Sequence, residues 1–174
     1  MKKVSLWIGV FIFLFLAIGA HTVKAQDLSG LNGQWLNGTL KAQKGWVTAN
    51  GAAGTPEKMQ NFVEKFYACV RAGGGSATLF IFDQEGVPMA DFMAGIGWIA
   101  GTNDDFVGQL NINKATQSNF GFVHVKDGKF QSINGYGIYS DADGFTTYDF
   151  TFNGTILKKV SPNLEAVGCA TYTP

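Results

Sequence analysis

Histidine, cysteine and proline are all scarce in this chain: two His, two Cys and four Pro among 174 residues. His21 lies inside an apolar N-terminal segment, so His124 is the one histidine of the remaining chain. Zinc sites draw on several His, Cys or carboxylate ligands at suitable spacing, and no such set is present; no metal or other cofactor is expected. A Ser or Cys nucleophile needs an activating base. His124 is the only histidine to serve, and the sequence has no Gly-x-Ser-x-Gly elbow. His124 therefore reads as a hydrogen-bonded structural residue, and an enzyme is not expected. Asp91, within MADFMAG, reads as an outward strand residue. Asp141-Ala142-Asp143-Gly144 lacks the further ligands of a calcium loop and reads as a plain turn, as does Asp104-Asp105.

Long apolar runs are also missing, with one exception. Lys2 and Lys3 precede the fifteen apolar or small residues Leu6–Ala20, and Val23-Lys24-Ala25 places small or apolar residues at −3 and −1 of a cut before Gln26. That layout is the one expected of a secretory signal peptide over residues 1–25. A membrane-spanning helix needs about 20 apolar residues, and no second run approaches that length. The expectation is an exported protein, periplasmic or extracellular, whose residues 26–174 form one domain with no membrane span.

Acidic and basic residues balance at thirteen each, and loss of Lys2, Lys3 and Lys24 leaves residues 26–174 with a net charge of −3. A mildly acidic surface without a Lys/Arg cluster disfavours nucleic acid. Cys69 and Cys169, an even pair in an exported chain, are expected to form a disulfide.

Glycine and aromatic residues, by contrast, are abundant. Lys44-Gly45, Asn50-Gly51, Gly73-Gly74-Gly75, Glu85-Gly86, Asp127-Gly128, Asp143-Gly144 and Asn153-Gly154 punctuate short apolar runs, the rhythm of an all-β sandwich or barrel. Phe106–Asn113 alternates with Leu110 and Ile112 on one side, and Thr147–Phe152 with Tyr148, Phe150 and Phe152 on one side, as half-buried strands do. Phe120–Val125 and Lys129–Tyr139 flank Lys126-Asp127-Gly128 as a hairpin, and Asn153-Gly154 predicts a second one running into Thr155–Val160. The continuous run Thr78–Phe82 predicts a strand covered on both faces. Thr55 as N-cap, Pro56 in the first turn, and Met59, Phe62, Val63, Phe66, Tyr67 and Val70 at helical spacing predict one short helix over residues 56–70. The rival reading of this stretch is a strand at about Lys65–Arg71. The fold class is mainly β: a single antiparallel barrel of about eight to ten strands with that one helix.

Gly33-Gln34-Trp35 at the head of the first strand resembles the Gly-x-Trp signature of lipocalins and related secreted barrels. The resemblance implies that Trp35 plugs one end of the barrel beneath a basic side chain of the last strand, Lys158 or Lys159. It also matches the bridge many lipocalins make from a middle strand to the C-terminal tail, here Cys69 to Cys169.

Small barrels either fill their interior with side chains or keep a pocket for one ligand. Trp35, Trp98, Tyr136 and Tyr148 are the candidate pocket residues, and the glycines of Gly95-Ile96-Gly97-Trp98 and Gly135-Tyr136-Gly137 suit barrel corners first, or else room beside a ligand. The leading expectation is a binding module for a small apolar ligand; the alternative is a structural or protein-interaction module with a solid core. An apolar cavity of roughly 300 Å³ or more, open at one end, separates the two.

Overall fold

The computed structural model describes residues 27–49, 57–114, 116–140 and 144–174, and within the strands not the side chains of residues 48, 49, 90, 91, 114 and 145. The segment read as a signal peptide, the turn expected at Asn50-Gly51, the N-cap and first turn expected at Thr55-Pro56, the turn expected at Asp141–Asp143 and the Asp91 side chain lie outside this description. Nine strands follow one another: β1 (Trp35–Ala49), β2 (Glu57–Lys58), β3 (Phe62–Gly73), β4 (Ser76–Phe82), β5 (Pro88–Gly101), β6 (Asp105–Lys114), β7 (Gln117–Lys126), β8 (Lys129–Ser140) and β9 (Gly144–Ile156). Sequential neighbours from β3 to β9 pair antiparallel, β3 pairs with β1, and β1 pairs with β9 to close the sheet. The two-residue β2 pairs with the far end of β1 and shares the side of β1 that β3 occupies. The result is an eight-stranded closed barrel, which leaves no long sheet edge open.

Alternation decides what lies inside. Leu36, Leu40 and Ala42 of β1, Phe66, Ala68 and Val70 of β3, Leu110 and Ile112 of β6, and Phe150 and Phe152 of β9 are all buried in one continuous core. The outward positions of β1 and β9 carry Asn37, Thr39, Lys41, Asp149, Thr151 and Asn153. A barrel that spans a bilayer presents an apolar band there, so this wall faces water. Packing inside is ring against notch. A Cβ on Gly38 would stand 2.4 Å from the Phe66 ring, and one on Gly135 2.5 Å from the Phe150 ring. These glycines are seats for aromatic rings rather than corners, whereas Gly95 and Gly97 have nothing within 4 Å of their Cβ positions.

Three expectations need correction. Glu57–Lys58 and Phe62–Gly73 are strand, not helix, with residues 59–61 in neither: in β3 Phe66 and Val70 face the core, Tyr67 lies beneath the C-terminal tail, and Phe62 and Val63 stay exposed. Asn153-Gly154 forms no turn but lies within β9, where Gly154 is pressed by the Leu36 side chain. Lys44-Gly45 is a β-bulge within β1, with Lys44 at φ 54° and a register shift between Gln43 and Trp46. The β7–β8 hairpin forms as expected, with Asp127 and Gly128 both at positive φ as a two-residue I′ connection demands.

The barrel has a plugged end. A 3₁₀ turn at Ser29–Leu31 drops Leu28 into the core, and the Leu28 N–H donates to the Gly74 carbonyl at 2.7 Å. The one α-helix, α1 (Pro162–Val167), follows the last strand, with Ser161 at its N-cap position, Pro162 in its first turn and Gly168 left-handed at its end. It folds back over the outside of β1, β3 and β4. There Leu164, Cys169 and Tyr172 cover Trp35, Cys69, Phe80 and Phe82, with Tyr172 edge-on to both phenylalanines at 5.4 and 5.2 Å. The Cys69–Cys169 disulfide locks this clasp, and the Arg71 guanidinium donates to the Tyr172 carbonyl. The clasp is why Thr78–Phe82 reads as a run without alternation: β4 is covered on both sides.

Candidate functional site

Opposite the plug, the barrel opens into a cup of about 480 Å³. Its lining comes from five places in the chain: Met59 before β3, Phe62, Val63 and Glu64 at the start of β3, Gln117 from β7, Tyr139 from β8, and Thr146 and Tyr148 from β9. Strand parity puts most of them there, Val63 opposite Lys41 being the outward exception. Phe62 lies opposite Ala42, and Glu64 opposite Leu40, so both share the inward face of β3 with Phe66. Tyr148 continues the inward column of Phe150 and Phe152, and Gln117 that of Asn119 and Val123.

A hydrogen-bonded chain makes the floor. Gln117 Nε2 donates to the Tyr148 hydroxyl at 2.6 Å, that hydroxyl donates to Asn119 Oδ1 at 2.7 Å, and Asn119 Nδ2 donates to the Ile112 carbonyl at 3.2 Å. Gln117, Asn119 and Tyr148 are all buried. A satisfied network of this kind fixes ring and amide positions more firmly than apolar packing alone. Burial pushes the Tyr148 phenol up to about 12, the hydrogen bonds from Gln117 and to Asn119 pull against that, and the charge of Glu64 adds to it. The phenol therefore stays neutral across the physiological range. Phe62 stands edge-on to Tyr148 with ring centroids 5.9 Å apart. Farther in, Phe66 meets Phe92 at 6.0 Å and stacks on Phe152 at 5.9 Å, so the space stops at the floor and does not run through the barrel.

The four candidate pocket residues do not converge. Tyr148 is in the cup. Trp98 packs against the core on β5 toward the plugged end, where its indole N–H is buried without a hydrogen-bond partner. Trp35 is on the outer wall, edge-on to Phe82 at 5.0 Å beneath the clasp. The lysines expected above it, Lys158 and Lys159, are exposed beyond the end of β9. Tyr136 faces solvent beside Phe120, half exposed. Reasoning from the sequence missed Phe62, Glu64, Gln117, Tyr139 and Thr146. For Thr146 the signal was present, because it extends the alternation of Tyr148 and Phe150 by one step.

Two further features are polar. A groove of about 610 Å³ at the plugged end is bordered by Asp27, Ser29, Gln34, Asp104, Asp127 and Lys158. On the outer wall near it, Asp105 accepts from Lys126 Nζ at 2.5 Å and meets His124 Nε2 at 2.7 Å. These contacts, that to Lys126 first, hold the Asp105 carboxyl below its ordinary range and raise the Lys126 ammonium. Among the described residues, no group of three or more His, Cys, Asp or Glu is placed to hold a metal ion. Comparison with family models, with curated proteins and with solved structures found no match to this chain.

Proposed function

We propose that this is an exported β-barrel that binds a small, largely apolar molecule in the cup at its open end. The observation that carries the reading is the cup itself. Its volume falls in the range of small-molecule pockets, about 300–1,000 Å³, and ringed apolar walls with a few placed polar groups are the usual composition of such sites. The leader-like N-terminus and the disulfide support export, since structural disulfides form in oxidising compartments.

A second reading, a protein-interaction module, is favoured by the outer face of β7 and β8. Phe120, Tyr136 and Ile138 are exposed there, with Phe122 edge-on to Phe120 at 5.6 Å. One titration separates the two. N-phenyl-1-naphthylamine, a neutral apolar fluorophore, is added to the exported protein, to a Thr146→Trp variant that fills the cup, and to Phe120→Ala on the outer face. Saturable enhancement lost only in Thr146→Trp supports the cup. Enhancement that is absent, or lost only in Phe120→Ala, rejects it.

A further inference from the structure

The hydrogen bonds beneath the cup have a direction, and a backbone carbonyl sets it. The Ile112 carbonyl can only accept, so Asn119 must turn its Nδ2 toward it, at 3.2 Å. That leaves Asn119 Oδ1 facing the Tyr148 hydroxyl at 2.7 Å, and an amide oxygen obliges the hydroxyl to donate. The single proton of the phenol is then committed. Gln117, 2.6 Å from the same hydroxyl oxygen, must present its Nε2, because its Oε1 would set lone pair against lone pair. Burial keeps the Tyr148 phenol neutral well past pH 7, so the proton on which this order depends stays in place.

Gln117 Oε1 is what the order leaves over. The residue is only 7% exposed, and its oxygen accepts from no group among the described residues. Yet it is not sealed in: the one buried side-chain polar atom without a partner among those residues is Trp98 Nε1. Gln117 lines the cup, so its oxygen opens there. We infer that the cup selects a molecule bearing a hydrogen-bond donor, a hydroxyl or an N–H, on its apolar body, and that Gln117 Oε1 receives that donor. Molecules of the same shape with only an ether or carbonyl oxygen at that end are disfavoured. This rests on the cup being the binding site.

The other polar groups of the lining do not oppose it. The Thr146 and Tyr139 hydroxyls can turn to donate or to accept, and so discriminate little. Glu64 has interactions of its own within the protein, and an ionised carboxylate is an acceptor only. Gln117 differs from the hydroxyls in being held. Its oxygen and nitrogen cannot trade places without breaking the contact to Tyr148. An acceptor fixed in a buried wall penalises a ligand without a donor, because the oxygen is then desolvated and left unpaired.

Indole and benzofuran share one shape and differ at one ring position, an N–H donor against an oxygen that can only accept. Each is titrated calorimetrically at pH 7 into the exported protein and into Gln117→Met, Tyr148→Phe, Lys114→Met and Thr146→Trp. Indole is expected to bind about tenfold more tightly than benzofuran, the weight of one hydrogen bond together with the unpaired acceptor its absence leaves. In Gln117→Met the two affinities should converge. Tyr148→Phe, with Gln117 intact, should also shrink the difference, since the amide is then free to turn its Nε2 to the benzofuran oxygen. Lys114→Met, at the partner of Gln117 across the β6–β7 ladder, should keep it. The comparison within the unmodified protein stands even where a variant folds poorly. Equal binding, a benzofuran preference, an indole preference that survives in Gln117→Met or Tyr148→Phe, or one that disappears in Lys114→Met overturns the donor assignment and leaves the apolar cup in place. No binding of either compound, or binding undiminished in Thr146→Trp, overturns the cup as well.

Discussion

Gly137 and Gly95 offer the same substitution on opposite faces of one sheet, with opposite expected outcomes. A Cβ on Gly137 would stand 2.2 Å from Tyr148 Cε2 and 2.4 Å from Asn119 Oδ1, far inside contact distance. Neither neighbour can swing aside cheaply. Tyr148 is buried, its ring is seated against Phe62, and its hydroxyl is tied to Gln117 and Asn119. Overpacking of this kind costs about 1–3 kcal/mol. Pushing the ring away also separates the Tyr148 hydroxyl from Asn119 and leaves a buried polar group unmade, about 1–3 kcal/mol more. Gly137→Ala is therefore expected to lose about 2–6 kcal/mol, or roughly 10 °C in Tm for a domain of this size. Gly95 has open space around its Cβ position, and alanine in a strand interior recovers about 0.5–1 kcal/mol of backbone entropy relative to glycine. Gly95→Ala is expected to match or slightly exceed the parent. Urea unfolding followed by tyrosine and tryptophan fluorescence measures both. If Gly137→Ala is as stable as Gly95→Ala, the ring-in-notch account of the barrel interior is wrong, and with it the fixed floor of the cup.

The disulfide closes a loop with a sequence separation of 100, so replacing both cysteines by serine is expected to cost about 2–5 kcal/mol; an unchanged urea midpoint would show that the clasp holds without it. Tyr148 gives an alkaline signature. Its phenol titrates higher in the folded chain than in the unfolded one, so its contribution is complete below pH 10 and is lost as pH rises from 10 to about 12, by at most about 2–3 kcal/mol. Comparing alkaline unfolding of the parent with Tyr148→Phe checks this, and equal slopes would refute it. The Asp105 trio behaves in the reverse sense. Its carboxyl is held low, so its stabilisation is present at neutral pH and fades as pH falls below the ordinary carboxylate range. All three groups are well exposed, so Asp105→Asn should leave the thermal midpoint at pH 7 within experimental scatter; a large drop would mean that the trio anchors the β6–β7 ladder.

Strands with one wet face announced themselves. In β6 and β9 polar and apolar residues alternate because one side meets water and the other meets core; β7 breaks the rule, with polar Gln117 and Asn119 inward and Phe120 exposed outward. Trp35 was legible by the same rule. Leu36 and Leu40 alternate with Asn37, Thr39 and Lys41, which puts Trp35 on the polar, outer side; only the clasp buries it. Tyr136 was not legible. Phe130 faces inward and Tyr136, an even number of residues later, faces outward, because an extra residue near Ile133 shifts the β8 register against both neighbours. A bulge reverses every side chain beyond it, and nothing in Gln131–Gly135 marks its place. Helix α1 carried its signals, Ser161-Pro162 and Gly168, but six residues are too few for a period to show.

The misreading of β3 is also what hid Glu64. At helical spacing Met59, Phe62, Val63 and Phe66 share one stripe and Glu64 turns to water, an unremarkable surface carboxylate. At strand spacing Phe62, Glu64 and Phe66 share one face, and the same carboxylate points into the barrel. The period alone moves it from solvent to site. What overrode the local helix signal was cover on both sides: the inner face meets the core, and Tyr67 and Cys69 on the outer face meet the clasp. A strand buried twice needs apolar residues at both parities, and two parities of apolar residues with one carboxylate between them mimic an amphipathic helix. The clasp that masks the strand pattern of β3 is therefore tied to the reading of the cup: it accounts for Tyr67 and Cys69 on the outer face, while on the inner face the residue that departs from the apolar column is Glu64.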